Sequence, residues 1–173
     1  KYMELIRSRD PKRVHPSHYG IVIPASWFTR VLKEHPEWFA LKKDGTRFTK
    51  YEGYPCSRHG MVCLTSGVME ELYKDVKSYL TGESPDVRKI HKGYGGKWDW
   101  SHSFRGRKYV DIMPNDNQYK CCCANCRAKY NETDPSGLYA SELVWGYTRD
   151  IANRLIREKV PGYVTQMAYE WYS

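Results

Sequence analysis

Residues 138–169 read LYASELVWGYTRDIANRLIREKVPGYVTQMAY and contain the clearest structural pattern in the chain. An apolar stripe with helical spacing is formed by Ala140, Val144, Tyr147, Ile151 and Leu155. Pro161-Gly162 ends the helix, because proline cannot continue it and glycine tolerates a left-handed backbone. The β-branched and aromatic residues of 163–169 favour a strand. This stretch therefore predicts a helix over 138–160 followed by a buried strand.

The same alternation of strand and helix precedes this stretch. Three further strands are predicted upstream, at residues 19–23, 61–64 and 108–113. A helix with one apolar face is predicted to begin after a capping Thr65 or Ser66 and to end at Gly82. Buried strands that alternate with amphipathic helices are typical of right-handed β/α units around a parallel sheet. The sequence therefore predicts an α/β fold.

Size and composition restrict the class of protein. The chain has 173 residues and a mass of 20.4 kDa, which suits one domain. Its 14% aromatic content argues against disorder, and its mean hydropathy of −0.75 and lack of a long apolar run exclude a predicted membrane span. The chain stops directly after a predicted strand, so we expect residues 1–173 to form a single partial domain, a cut β/α barrel or sheet, with a long loop excursion at 83–106.

Two carboxylates follow predicted strands at the positions where parallel β/α folds place their active residues. Asp116 follows the third strand in the sequence Pro-Asn-Asp-Asn, and Glu170 follows the fourth. Paired carboxylates suit glycoside cleavage, because one protonates the leaving oxygen while the other attacks, activates water or steers a substrate acetamide. The candidate sugar-binding residues are His18, Asn115, Asn117, Tyr169 and Trp171. The alternative for Asp116 is a turn residue.

The cysteines form a second candidate site. Cys121, Cys123 and Cys126 make a Cys-x-Cys-x2-Cys run, and Cys56 and Cys63 lie upstream. Thiolates at this spacing can hold one tetrahedral zinc ion, with Cys63 or Cys56 as the fourth ligand. A disulfide between Cys63 and a member of the run is the alternative. A third interpretation is a set of reduced thiols without a function.

The segment from 88 to 108 combines basic and aromatic residues, with seven Lys or Arg residues against Asp99 alone. Its candidate contact residues are His91, Lys92, Tyr94, Lys97, Trp98, Trp100, His102 and Arg105. They could bind a polyanion or stack on bases. However, a loop that joins a helix to the next strand lies opposite the active face of a β/α barrel. We therefore favour a surface excursion or partner patch and expect no nucleic acid partner.

Several motifs together resemble a bacterial family of secreted glycan-foraging proteins that was long described only as a domain of unknown function. They are HPEWFAL at 35–41 with DGTR at 44–47, CLT at 63–65, NDN at 115–117 before the cysteine run, Asn153, and Ala168-Tyr169. The resemblance spans about residues 15 to 172. The excursion at 83–106 is longer than is expected for the family, and Cys122 adds a thiol within the cysteine run.

The resemblance implies a (β/α)8 barrel related to α-glucuronidases and hexosaminidases, of which this chain would hold about half. Some relatives are endo-β-N-acetylglucosaminidases that act on N-glycans. The implied partner is an oligosaccharide or polysaccharide, the implied location is secreted or periplasmic, and no cofactor is implied for catalysis.

The leading hypothesis is thus a glycoside-hydrolase-like fragment that cleaves or binds complex glycans next to an N-acetylhexosamine. A non-catalytic carbohydrate-binding domain on the same scaffold is the alternative. Nucleic acid binding through 88–108 is the third hypothesis.

Overall fold

Helices and a small parallel sheet make up the regular structure of this chain. The computed structural model describes residues 34–49, 62–90, 98, 100, 109–112 and 120–166. The α-helices in these ranges are α1 (Val68–Thr81), α2 (Ala124–Arg127) and α3 (Ser141–Arg157). The strands are β1 (Tyr109–Asp111) and β2 (Tyr163–Thr165), and short 3-10 helices cover Pro36–Trp38 and Pro85–Arg88. No helix in the described ranges combines the length and the apolar character that crossing a membrane requires.

The two strands pair in parallel through the crossover helix α3. Tyr109 lies opposite Tyr163, and Asp111 lies opposite Thr165. The hydroxyl of Tyr147 on α3 donates a hydrogen bond at 2.7 Å to the carbonyl of Ile112, the residue directly after β1. A strand, a covering helix and a parallel strand form the β/α unit that the sequence predicted. The described residues thus show a mixed α/β fold with a two-stranded parallel sheet, and they show no barrel.

Helix α1 begins one residue later than a cap at Ser66 would require. The residue that precedes it is Gly67, and the Ser66 hydroxyl accepts a hydrogen bond from the Val68 N–H at 3.3 Å. Neither Thr65 nor Ser66 is therefore the N-cap, although Ser66 satisfies one of the free N–H groups of the first turn. The predicted end at Gly82 is found, with a left-handed φ of 83°.

Helix α3 is shorter than the predicted 138–160 at both ends. Residues before it form turns, in which the Asp134 carboxylate accepts a hydrogen bond from the Ser136 N–H at 2.9 Å. At the other end, Lys159 has a φ of 56°, which is outside the helical region. The predicted apolar stripe is buried between these limits, and Ala140 is buried directly before the helix.

The predicted second strand is not found in the described part of 61–64. Val62, Cys63 and Leu64 are buried, as a core strand would be, but Val62 makes only an isolated antiparallel bridge with Phe39. The Cys63 N–H donates to the Trp38 carbonyl at 2.7 Å. The chain around Trp38 therefore supplies the backbone partner of this segment, and it does so in the antiparallel direction.

Two tryptophans of the basic aromatic segment belong to the hydrophobic core. Trp98 and Trp100 are buried and pack around Tyr79. Their indole N–H groups donate to the carbonyls of Glu83 and Asp111, each at 2.9 Å. These two rings are therefore not exposed for stacking on bases. The other candidate contact residues of this segment, His91, Lys92, Tyr94, Lys97, His102 and Arg105, lie outside the described residues.

Candidate metal centre

Four cysteine sulfurs meet in one cluster. The ligand atoms of Cys63, Cys121, Cys123 and Cys126 all lie within 4.8 Å of one another. The Cys63 Sγ is 3.6 Å from the Cys123 Sγ and 3.6 Å from the Cys126 Sγ, although Cys63 lies about sixty residues earlier in the chain. Cys123 is partly buried, and the other three side chains are buried. These are the four residues that the sequence predicted as ligands; Cys56, the other candidate for the fourth ligand, lies outside the described residues.

The sulfur separations fit a tetrahedral metal site. Four sulfurs at a zinc–sulfur distance of about 2.3 Å lie about 3.8 Å apart at the corners of a tetrahedron. The 3.6 Å separations are close to that value. They are much longer than the roughly 2.05 Å of a disulfide bond, and all five cysteines in the described ranges are free thiols. The cluster could therefore hold a metal ion such as zinc.

Local structure explains why the Cys-x-Cys-x2-Cys spacing brings its sulfurs together. Cys123 is the N-cap of α2, and its Sγ accepts a hydrogen bond from the Cys126 N–H at 3.4 Å. The short helix turns the chain so that Cys126 lies beside Cys123. Cys121 precedes the helix, and its Sγ belongs to the same cluster.

The HPEWFAL segment is hydrogen-bonded to the cysteine run through its backbone. The Leu41 N–H donates a hydrogen bond to the Cys121 Sγ at 3.3 Å. The Leu41 carbonyl in turn accepts from the Cys122 N–H at 2.8 Å, and the Arg47 guanidinium donates to the Phe39 carbonyl at 2.8 Å. The HPEWFAL segment and the cysteine run are thus parts of one structure.

Thr65, a candidate helix cap and a member of the CLT motif, is a neighbour of the cluster. Its Oγ1 lies 3.2 Å from the Cys126 Sγ, 3.4 Å from the Cys63 Sγ and 3.7 Å from the Cys123 Sγ. A hydroxyl at these distances can donate a hydrogen bond to a thiolate. Such partners orient metal ligands and disperse their charge.

The thiols of the cluster differ in how readily they lose their protons. Hydrogen bonds with Cys121 and Cys126 hold the pKa of the Cys63 thiol well below its ordinary value. Hydrogen bonds with Cys121 and Cys63 raise the pKa of Cys126, and burial of the side chain raises it further. The thiols alone therefore stabilise a thiolate at Cys63 at the expense of Cys126. A divalent cation would stabilise all four thiolates, because it compensates the charge that burial otherwise disfavours.

The candidate sugar site lies outside the described residues in its entirety. This applies to the candidate catalytic residues Asp116 and Glu170 and to the candidate binding residues His18, Asn115, Asn117, Tyr169 and Trp171. The structure does describe the strands that precede the two acids, β1 and β2, and it shows that they are parallel neighbours.

Comparisons with protein-family models, with curated proteins and with solved structures found no match for this chain. The resemblance to the glycan-foraging family therefore rests on the sequence motifs alone.

Proposed function

We propose that Cys63, Cys121, Cys123 and Cys126 bind one zinc ion as a structural tetrathiolate site. The observation that carries this proposal is the convergence of four sulfurs within 4.8 Å of one another, with two of the separations at 3.6 Å, close to the edge of a ZnS4 tetrahedron. A site with four protein thiolates has no open position for water or substrate, so its role is structural. Zinc fits better than magnesium or calcium, because those ions prefer oxygen ligands.

The proposed ion would join the segment before α1 to the connection between β1 and α3. Cys63 lies just before α1, and the other three ligands lie between β1 and α3. Leu41 ties the HPEWFAL segment to the same point through its bond to Cys121. Three segments that are distant in sequence would thus be fixed at one place. A cross-link of this kind stabilises the folded state, because the unfolded chain has no preformed site.

Metal analysis of the purified chain tests this proposal. We expect about one zinc per chain, and substitution by Co²⁺ should give the intense visible absorption of a tetrahedral thiolate site. Cys63→Ser should lose most of the bound metal. Cys122→Ser is the matched control, because Cys122 belongs to the same run but not to the cluster. A folded chain that holds no metal, or a Cys63→Ser variant with unchanged metal content, would reject the site.

We further propose that the protein acts on complex glycans, with Asp116 and Glu170 as its acids. The supporting observation is the strand register, in which Asp111 at the end of β1 lies opposite Thr165 at the end of β2. Asp116 comes five positions after Asp111 in the sequence, and Glu170 comes five positions after Thr165. Parallel neighbours end at the same edge of a sheet, where β/α enzymes carry their active residues.

In this proposal Asp116 orients the substrate or protonates the scissile bond, and Glu170 is the second carboxylate. The residues that would bind sugar hydroxyls are His18, Asn115, Asn117 and Tyr169, and Trp171 would stack on a ring. The substrate would be an oligosaccharide or polysaccharide that contains an N-acetylhexosamine, outside the cytoplasm. The proposed scaffold is a (β/α)8 barrel to which this chain contributes about half.

Incubation with defined N-glycans and polysaccharides, with products read by mass spectrometry, tests the glycan proposal. Hydrolysis that falls by about 10²–10⁴-fold in Asp116→Asn would support an acid or base role for this residue. Binding of oligosaccharide without turnover would instead identify a carbohydrate-binding domain. Affinity for nucleic acid that falls steeply with salt would favour the third hypothesis, binding through 88–108. Trp98 and Trp100 could not contribute to that binding by stacking on bases, because both are buried.

A further inference from the structure

We infer that the four thiols also have an oxidised state, in which a disulfide between Cys63 and Cys123 excludes the metal. This inference rests on the proposed zinc site. It adds a modification site to the same residues and makes metal binding and disulfide formation mutually exclusive. The cluster would then be a switch between a zinc-bound state and a disulfide state.

Distance and burial select the pair. The Sγ atoms of Cys63 and Cys123 are 3.6 Å apart, so they must approach by roughly 1.6 Å to reach the bond length of a disulfide. Cys126 is equally close to Cys63, but it is fully buried and lies within α2. Cys123 is partly buried and precedes that helix. An oxidant in solution therefore reaches Cys123 first, and its side chain can move without unwinding a helical turn.

The reaction is a two-electron oxidation by a peroxide. The Cys123 thiolate attacks one oxygen of hydrogen peroxide, the O–O bond breaks, hydroxide leaves, and Cys123 becomes a sulfenic acid. The Cys63 thiolate then attacks the Cys123 sulfur, the S–O bond breaks, and a second hydroxide leaves as the S–S bond forms. The two sulfurs lose two electrons and the peroxide gains them. Two of the four metal ligands are consumed, so the zinc ion is released.

In the proposed location outside the cytoplasm, the thiols would meet oxidising conditions. Disulfides form and persist in oxidising compartments, whereas zinc tetrathiolates need reduced thiols. A chain that acquires zinc before oxidation would keep its thiolates bound. A chain that meets an oxidant before zinc would form the bridge.

The test begins with chain whose zinc content has been measured. Hydrogen peroxide is added in steps, released zinc is followed with a chromogenic chelator, and disulfides are mapped by peptide mass spectrometry without reduction. We expect zinc release in proportion to a Cys63–Cys123 bridge, and recovery of binding after treatment with a dithiol and zinc. Cys122→Ser should behave like the unmodified chain.

Cys123→His provides a second variant, because histidine can replace one thiolate at a zinc site but cannot form the bridge. It should retain zinc and release it at least about tenfold more slowly with peroxide, since the thiolate that attacks the peroxide is lost. Three results would overturn the inference: release without any Cys63–Cys123 bridge, a bridge that instead involves Cys122, or no release in excess peroxide. Purified chain without zinc would contradict the proposed metal site instead, and peroxide treatment of that chain would still show whether the Cys63–Cys123 bridge forms.

Discussion

The indole ring of Trp38 lies directly against the backbone of Gly67. A Cβ atom added at Gly67 would lie 2.7 Å from Cζ2 of Trp38, a distance at which one of them must move. The indole is also stacked against the His35 ring, with centroids 3.8 Å apart. Glycine at position 67 therefore permits the close contact between the HPEWFAL segment and the start of α1, next to Cys63.

Gly67→Ala should destabilise the chain by about 1–3 kcal/mol, because the added methyl group forces Trp38 away from its site. Gly146→Ala is the matched control. Gly146 lies inside α3 with open space at its Cβ position, so alanine there should stabilise by up to about 1 kcal/mol through helix propensity. Urea unfolding of both variants measures the difference. A Gly67→Ala variant as stable as the unmodified chain would contradict the packing of Trp38.

The hydroxyl of Thr65 is expected to strengthen metal binding. Thr65→Val keeps the shape of the side chain and removes the donor that lies 3.2 Å from the Cys126 Sγ. Zinc affinity should fall by about 10–100-fold, as is usual when a hydrogen-bond partner of a metal ligand is lost. Thr65→Ser keeps the hydroxyl and should bind zinc nearly normally. Competition with a chelator of known affinity measures both variants, and equal affinities for valine and serine would remove Thr65 from this role.

The two long helices and the cysteine cluster could be predicted from the sequence, because they depend on local periodicity and spacing. The apolar stripes predicted α1 and α3, and the thiol spacing predicted the cluster. The requirement for glycine at position 67 depends on Trp38, which is distant in sequence. The antiparallel bridge between Phe39 and Val62 depends in the same way on tertiary contact, so a parallel strand was predicted there instead.

The contacts of the cluster also include some that local sequence predicts and others that depend on tertiary structure. The run of three cysteines indicated a site by itself, but its spacing could not distinguish Cys56 from Cys63 as the fourth ligand. The bond from the Leu41 N–H to the Cys121 Sγ also had no local signal, because backbone donors carry no sequence pattern. Asp116 and Glu170 lie outside the described residues, so both their placement and their roles stay predictions.

Arg88 is expected to anchor the start of the excursion at 83–106. Its Nε donates to the fully buried Asp75 carboxylate at 2.8 Å, and its Nη2 pairs with Glu71. Arg88→Met should destabilise the chain by about 2–4 kcal/mol, because Asp75 would lose its cationic partner in the core. Lys74→Ala removes a more exposed partner of Glu71 and should cost under about 1 kcal/mol. Similar losses in the two variants, measured by urea unfolding, would show that Arg88 makes no special contribution.

The same network predicts how stability changes in acid. Burial raises the pKa of Glu71, but its ion pairs with Lys74 and Arg88 outweigh burial and hold the pKa below the ordinary value of 4.5. A lowered pKa in the folded state means that Glu71 stabilises the fold above its unfolded pKa. That contribution is lost as the pH falls through the folded-state value. The free energy of unfolding should therefore decrease below about pH 4.5 and do so less steeply in Glu71→Gln. Identical pH profiles for the two proteins would contradict this assignment.

X-ray absorption at the zinc K-edge tests the tetrathiolate site most directly, because it reports the ligands of the bound metal. We predict a single shell of four sulfur atoms at about 2.3 Å in the zinc-bound chain, with an unchanged spectrum in Cys122→Ser. A shell that contains nitrogen or oxygen at about 2.0–2.1 Å, or fewer than four sulfurs, would contradict ligation by Cys63, Cys121, Cys123 and Cys126.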